Sequence, residues 1–174
     1  MLRDACLSEC GTYRYWLSRT WAPSLWTGLS ECLLYVMLNP STADANLDDP
    51  TIRNCIRIAQ AWGYQAIHVV NLFALRATNP KALQTAADPV GPLNDQHILD
   101  ALRSKCSVVA AWGTHGTYLG RDQTVLRLLQ SVNVRVNCLG VNKDGSPRHP
   151  LYCPARSEPK PYPPDHASST HGPT

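Results

Sequence analysis

The sequence has few charges, a single phenylalanine and no long apolar run. Charged residues make up 17% of the 174 residues and the net charge is only +3, which is not the composition of a disordered acidic or basic chain. No apolar segment approaches the roughly 20 residues that span a bilayer. The N-terminal MLRDACLSEC also lacks the continuous apolar region of a signal peptide. We therefore expect a cytoplasmic protein with no membrane contact.

The seven cysteines are scattered without a CxxC pair, so they do not indicate a disulfide framework. We expect them to be reduced and mostly buried. A four-thiolate cluster is the alternative, but its members lack the tight local spacing of paired metal ligands; they would be Cys6, Cys10, Cys138 and Cys153. The sequence therefore predicts neither a bound metal nor another cofactor.

Hydrophobic residues make up 44% of the chain, enough for one domain with a sizeable core. We place that domain at residues 1–153. Residues 154–174 are rich in proline and poor in large apolar side chains, which predicts a flexible tail. We expect a monomer, and the mildly basic balance weakly favours an anionic partner such as DNA.

Apolar runs and amphipathic segments alternate along the chain. The runs CLLYVML, AIHVVNL, SVVAAW and VRVNCLG are typical of buried strands and occupy residues 32–38, 66–72, 107–112 and 134–140. Helices are expected after Asp49, which is a good N-cap, and over about 92–103 and 122–131. This order predicts an α/β fold with three α/β/α layers around a central, mostly parallel four-stranded sheet. Residues 10–22 would add a pair of edge strands.

Polar loops follow all four predicted strands. Their sequences are NPSTAD, NLFALRATNP, WGTHG and KDGSPRHPLY. In open parallel sheets ligands bind beyond the carboxyl ends of the strands, so these loops are expected to form one site.

Each loop resembles a motif of the uracil-DNA glycosylase superfamily, in the same order. The four matching segments are Leu38-Asn39-Pro40-Ser41, Asn71 to Arg76 with Asn79-Pro80, Ala111-Trp112-Gly113, and Arg148-His149-Pro150-Leu151. The resemblance covers roughly residues 30–152 and depends on order and spacing more than on close identity. It implies a glycosylase-like fold and a DNA substrate with a flipped nucleotide. The longer string of these motifs is also similar to a family of bacterial proteins.

The resemblance implies roles at the reacting bond. Asn39 would hold and orient the attacking water, and His149 would stabilise the negative charge that grows on the departing base. Asn71 would bind the base edge, and Phe73 would stack on the base. The residues by themselves leave other interpretations open: a turn at Asn39-Pro40, an exposed loop histidine at His149, a strand-end cap at Asn71 and a core position for Phe73.

The resemblance also implies contacts to DNA. Leu151 or Tyr152 would fill the gap left by the flipped base, although ordinary packing would explain both. Arg76, Lys143 and Arg148 are the candidates for phosphate contacts, and each is equally explained as a solvated surface charge.

Two carboxylates are further candidates for catalysis. Asp44 or Asp48 could activate a water that the amide of Asn39 can only position; surface loop carboxylates are the alternative interpretation. No lysine occupies the motif position of an imine-forming nucleophile. We therefore expect a monofunctional, metal-independent glycosylase that leaves an abasic site.

Ser41 departs from the family pattern, because uracil-specific members carry a bulky aromatic residue after this proline. The small side chain predicts a pocket wide enough for a C5-modified pyrimidine, such as the hydroxymethylated or glucosylated cytosine of phage DNA. A role in phage defence follows as a hypothesis, with excision of uracil or a damaged base as the alternative.

Three other functions fit parts of the sequence. GTHGTYLG could cradle a phosphate in a nucleotide-binding module without glycosylase activity, although it matches no established phosphate-loop pattern. Four residues could bind the metal of a phosphodiesterase or nuclease: Asp44, Asp48, Asp49 and His149. The third is a DNA-binding relative that has lost catalysis.

Overall fold

Seven strands form a single mixed sheet in the computed structural model, which describes residues 1–22, 31–103 and 106–164. The strands are β1 Leu2–Leu7, β2 Arg14–Thr20, β3 Cys32–Met37, β4 Ala66–Asn71, β5 Ser107–Ala110, β6 Val136–Cys138 and β7 Lys160–Pro161. The helices are α1 Pro50–Ala61, α2 Ala82–Thr85, α3 Asn94–Leu102 and α4 Arg121–Ser131, and two 3-10 segments cover Thr114–Gly120 and Pro150–Tyr152.

The four predicted apolar strands form the parallel centre of this sheet. The strand order is β1-β2-β4-β3-β5-β6-β7. Strands β4, β3, β5 and β6 are parallel to their neighbours, whereas β2 is antiparallel to β4, β1 to β2 and β7 to β6. The α/β class is confirmed, but the sheet is larger than the four strands and edge pair that the sequence predicted.

Helices cover both faces of the sheet. Helix α1 packs over one face through Ile52, Cys55, Ile56 and Ala59, the four positions expected from the helical spacing. Its N-cap is Asp49, whose Oδ1 accepts a hydrogen bond from the backbone N–H of Ile52 at 2.8 Å. Helices α3 and α4 cover the other face and contribute a second apolar cluster.

The edge region differs from the prediction. Residues 10–22 contain one strand rather than two, and β2 lies inside the sheet between β1 and β4. Strand β1 was missed because its first residues are exposed and include Arg3 and Asp4, which gives it no apolar face to detect. Arg14 and Arg19 therefore lie in an interior strand, and both are buried.

The sheet also extends past the predicted domain boundary. Strand β7 pairs with β6 through Asn137–Pro161 and Cys138–Lys160. The ring of Tyr162 packs edge-on against Trp112 with 5.6 Å between ring centroids. Residues 154–164 thus belong to the folded domain and are not a flexible tail; residues 165–174 lie outside the described part of the chain.

The strand order reverses direction between β3 and β5. In chain order the parallel strands run 2-1-3-4 across the sheet, so the connections leaving β3 and β5 diverge and open a crevice at their carboxyl ends. The ladder pairs Met37 with Asn71 and Val36 with Ala110, so these strands end at about the same level. Within the described residues, no helix is long and apolar enough to cross a membrane.

Candidate functional site

A cleft of about 920 Å³ opens at the carboxyl ends of β3 and β5. All four polar loops predicted to form a site contribute to its lining, together with the start of α1. The lining residues used below are Arg14, Asn39, Ser41, Asp49, Trp112, His115, Arg148, His149, Leu151 and Tyr152. This is where an open sheet of parallel strands is expected to bind a ligand.

The amide of Asn39 is fixed by backbone carbonyls. Its Nδ2 donates to the carbonyl oxygens of Ala77 at 2.8 Å and Pro40 at 3.0 Å, and more weakly to Leu75 at 3.5 Å. Since all three neighbours are acceptors, they determine which end of the amide is nitrogen. Oδ1 makes no hydrogen bond within the described residues, so it is an acceptor available to a water or ligand in the cleft.

His149 has a defined tautomer. Its Nδ1 accepts a hydrogen bond from the backbone N–H of Leu151 at 3.3 Å, so in the neutral ring the proton is on Nε2. Burial lowers the pKa of His149, and the negative charge of Asp49 opposes that shift. The imidazole is therefore neutral at physiological pH and carries its N–H on Nε2.

Helix α1 holds the segment that carries His149. The side-chain Nδ2 of Asn54 donates to the carbonyl oxygens of Pro150 at 2.7 Å and Cys153 at 2.9 Å. The preceding turn is closed by a bridge between Val141 and Pro147. His149 is thus positioned by a rigid helix on one side and a closed turn on the other.

Asp49 is the carboxylate that reaches the cleft. The sequence suggested a helix cap, a role that Oδ1 performs, and a ligand of the metal-dependent alternative. Oδ2 makes no hydrogen bond within the described residues. No catalytic role was assigned to it, because a good N-cap already explains an aspartate before a helix.

Asp44 and Asp48 do not line the cleft. Oδ1 of Asp44 accepts the backbone N–H groups of Asn46 and Leu47 at 2.8 and 2.9 Å, which lowers the pKa of that carboxyl. Asp48 instead forms ion pairs with Arg19 at 2.7 Å and Arg3 at 3.2 Å. Both predicted catalytic carboxylates hold the loop in shape.

Two of the residues predicted to bind the base cannot be reached from the cleft. One ends β4 and the other lies two residues after it. Asn71 and Phe73 are fully buried, and neither lines the cleft. Phe73 packs against Tyr118 with 5.8 Å between ring centroids, so the core interpretation holds for it. Asn71 is unusual because neither amide atom has a hydrogen-bond partner.

Ser41 lines the cleft, as the resemblance implied.

Trp112, for which a core position was the expectation, is 2% exposed and also contributes to the lining. Its ring lies on the backbone of Gly116, where an added Cβ would be only 2.2 Å from Cδ1 of Trp112. The Gly113 N–H donates to the carbonyl of Pro147 at 2.9 Å. This amide and the space at Gly116 are therefore occupied, so neither is available to a phosphate.

The predicted DNA contacts divide into two groups. Arg148, Leu151 and Tyr152 line the cleft and are exposed, with Tyr152 at 79%. Lys143 is exposed on the neighbouring turn, and Arg76 is half-buried; neither lines the cleft. A cationic side chain and two exposed apolar ones thus lie together beside His149.

Sequence reasoning missed Arg14. This residue is 1% exposed, yet it lines the cleft. Burial lowers its pKa to about 10, so the guanidinium remains charged at neutral pH. The available signal was an arginine within a strand of aromatic and apolar residues, but the strand was expected at the sheet edge, where a charge needs no explanation.

The ligand set of the metal-dependent alternative is not assembled. Among residues 1–22, 31–103 and 106–164, no three His, Cys, Asp or Glu side chains come together as a metal-binding group. Of the four proposed ligands, only Asp49 and His149 reach the cleft. The four cysteines of the thiolate alternative are likewise free thiols and form no such group.

A family model described as a protein of unknown function (DUF1643) matches residues 14–151. No curated protein and no solved structure matches the chain. The matched region contains every cleft-lining residue except Tyr152, and it leaves out β1 and β7. Since it covers most of the sequence, the chain belongs to the DUF1643 family.

Proposed function

We propose that this protein is a DNA glycosylase that hydrolyses the bond between a flipped base and its deoxyribose. The observation that carries the proposal is the pairing, in one cleft, of the Nε2–H donor of neutral His149 with the amide oxygen of Asn39, an acceptor fixed by backbone carbonyls. A donor for the base and an acceptor for water are the two groups that this reaction requires.

The reaction follows from these groups. The bond between C1′ and the base nitrogen breaks, and its electron pair leaves with the base. The Nε2–H of His149 donates a hydrogen bond to the oxygen on which that negative charge accumulates. A water held by Oδ1 of Asn39 adds to C1′ as its proton passes to Asp49. The base leaves as an anion and is then protonated from solvent, while Asp49 releases its proton to solvent. The products are the free base and an abasic sugar.

Asp49 takes the role that the sequence gave to Asp44 or Asp48. It lines the cleft with Oδ2 free of hydrogen bonds, whereas the other two are occupied elsewhere. A carboxylate near C1′ also stabilises positive charge on the sugar as the bond lengthens. Both effects favour hydrolysis without a covalent intermediate.

The cleft favours a base larger than uracil. Its volume of about 920 Å³ is near the top of the roughly 300–1,000 Å³ found for small-molecule pockets. Ser41 places a small side chain with a hydroxyl in the lining. A C5-modified pyrimidine, such as hydroxymethylated or glucosylated cytosine of phage DNA, is the proposed substrate, and defence against phage is the proposed role.

The cleft rim provides the groups for holding DNA. Arg148 offers a charge for a phosphate. Leu151 and Tyr152 are exposed apolar side chains beside the catalytic histidine, where they can fill the space left by the flipped nucleotide.

Base release tests the proposal. The protein is incubated with EDTA and with DNAs that contain uracil, 5-methylcytosine, 5-hydroxymethylcytosine or its glucosylated form, and hot alkali converts abasic sites into breaks. We expect breaks on the C5-modified DNA that are lost in Asn39→Ala and His149→Ala. Asn46→Ala, in the same loop but outside the cleft, and His97→Ala, on α3, are the matched controls. Intact strands on every DNA would reject the proposal for these bases and favour a nucleotide-binding module.

A further inference from the structure

Arg14 is a buried cation without an ion-pair partner. Its exposed fraction is 1%, and the ion pairs among the described residues involve other arginines. Within the same described residues its side chain makes one hydrogen bond, from Nη1 to the carbonyl oxygen of Ala43 at 2.6 Å. A buried charge that is neither paired nor fully hydrogen-bonded is costly, so such groups usually have a partner.

The remaining donors of this guanidinium are unused. Nε is buried with no hydrogen-bond partner. Nη2 likewise has no hydrogen-bond partner within the described residues, but it is not fully buried, and Arg14 lines the cleft. Of the planar fork of donors that suits an oxyanion, Nη2 is therefore the one that a ligand in the cleft can reach, while Nε beside it is enclosed.

Arg14 lies among charged groups of both signs. Arg76 and Arg19 both disfavour its charged form, while Asp49 and Asp44 favour it. Arg19 is neutralised by its ion pair with Asp48. Arg76 has no ion pair and its Nε is also buried without a partner. Neither Arg14 nor Arg76 therefore has a carboxylate within ion-pair distance in the described part of the chain.

We propose that Arg14 binds an oxyanion of the ligand, a phosphate, in the cleft beside the N-terminus of α1. Pro50, Thr51 and Ile52 at that N-terminus line the cleft, and the helix dipole favours an anion there. Asp49 already caps that N-terminus through Oδ1, so the guanidinium of Arg14 makes the charge-assisted contact to the anion. Identifying this phosphate as part of the nucleotide whose base is released rests on the proposed function; anion binding by Arg14 does not.

The phosphate has two possible sources. In DNA it is a backbone phosphodiester adjacent to the flipped nucleotide. In a free nucleotide it is the terminal phosphate monoester. Both present oxygens to the same fork, so the chemistry of the site is common to them and the experiment separates the sources.

Thermal unfolding in inorganic phosphate tests the anion site. With ionic strength held constant by sodium chloride, we expect phosphate to raise Tm in a saturable way. Arg14→Gln should weaken the apparent phosphate affinity at least tenfold. Arg57→Gln, which removes an exposed charge from α1 outside the cleft, should match the wild type. A wild type without a saturable rise, or a variant Arg14→Gln with an unchanged affinity, would overturn the proposal.

A second measurement covers the case in which Arg14→Gln does not fold. The Nε–H resonance of Arg14 in the wild-type protein, assigned by comparison with Arg14→Lys, should shift as phosphate is added. A resonance that stays in place at phosphate concentrations that raise Tm would place the anion elsewhere and overturn the assignment.

Competition then identifies the source. Deoxyuridine monophosphate, deoxyuridine and a single-stranded uracil oligonucleotide would each be titrated against bound phosphate. Displacement by the monophosphate but not the nucleoside indicates a terminal phosphate; displacement by the oligonucleotide alone indicates the DNA backbone. If the protein bound phosphate but released no base, the anion site at Arg14 would stand and the glycosylase proposal would be rejected. If it released the base but bound no phosphate, the glycosylase proposal would stand and the anion site would be rejected.

Discussion

The fully buried guanidinium of Arg19 donates a hydrogen bond from Nε to the carboxylate of Asp48 at 2.7 Å. Its Nη2 donates to the carbonyl oxygens of Asp44 and Leu47. An interior strand thereby holds the loop between β3 and α1, one end of which carries Asn39 and the other Asp49. The loop is dense in polar residues for two reasons: some line the cleft and others anchor the loop to Arg19.

Asp48→Asn should reduce stability and leave catalysis intact. The substitution leaves the buried charge of Arg19 without its counter-ion, which costs about 3 kcal/mol, and urea unfolding measures the change. Asp100→Asn breaks the exposed pair with Arg103 and should cost less than about 1 kcal/mol. If the Asp48→Asn variant had normal stability but did not release the base, Asp48 would have a catalytic role after all.

Asn39→Asp should destabilise the protein more than Asn39→Ala. The alanine variant loses the hydrogen bonds to Ala77 and Pro40, about 1 kcal/mol each. The aspartate variant loses them too and also places a carboxylate oxygen against those carbonyls. Thermal unfolding of the two variants measures the order, and a more stable Asn39→Asp would contradict the assigned amide orientation. Base release by Asn39→Ala should fall at least about a hundredfold.

The rate of base release should decline on acidification. Burial lowers the pKa of His149, so the neutral ring predominates from neutral pH down to mildly acidic pH. Below that pKa, Nδ1 gains a proton and no longer accepts the N–H of Leu151, which displaces the donor. The pH dependence of kcat/KM should therefore be level near pH 7 and fall toward acid. A rate that rises on acidification would show that the charged imidazolium is the active form.

His68 should make the protein less stable in acid. Burial lowers its pKa to about 4, and its buried Nε2 has no hydrogen-bond partner. Between about pH 4 and pH 6.5, His68 is therefore protonated in the unfolded chain but neutral in the folded protein. Stability is therefore full above pH 6.5 and lost as the pH falls toward 4, by up to about 3 kcal/mol.

Urea unfolding at pH 7 and pH 4.5 measures this loss. We expect His68→Leu to remove most of the difference between the two pH values. His115→Leu, which replaces an exposed histidine, should retain it. An equal pH dependence in both variants would assign the acid sensitivity to other groups.

Asn71→Leu should raise the melting temperature. Neither amide atom of Asn71 makes a hydrogen bond, so the substitution removes a desolvation cost of about 1–3 kcal/mol without losing a bond. Base release should be unchanged if the residue is only part of the core. A more stable variant without activity would instead restore the base-binding role predicted from the sequence, with the amide exposed on DNA binding.

The parallel centre of the fold could be predicted because it depends on local signals. Long apolar runs identify β3 and β4, and Asp49-Pro50 begins α1 where a cap and a first-turn proline are expected. Strand β1 lacks an apolar face, and β7 is only two residues long. Their positions depend on pairing with distant strands, which no local pattern encodes.

The site was predictable in part for the same reason. Asn39, Ser41 and His149 reach the cleft because each follows a strand whose carboxyl end faces it. Asn71 lies on the same face of β4 as Ile67 and Val69, which pack under α1. Because side chains alternate between the two faces of a strand, the side chain of Asn71 also points into the core. The partnership of Asp48 with Arg19, and the burial of Arg14, follow from β2 being an interior strand, which the sequence did not indicate.

Strand β7 has a consequence for how this protein behaves in concentrated solution. It occupies the free backbone groups of β6, and an unpaired strand edge is a template on which a second chain can add. A chain shortened to residue 153, the boundary that the sequence suggested, would retain the cleft but expose that edge. Self-association through β6 would then accompany the truncation, and the short terminal strand serves as the sheet's protection against it.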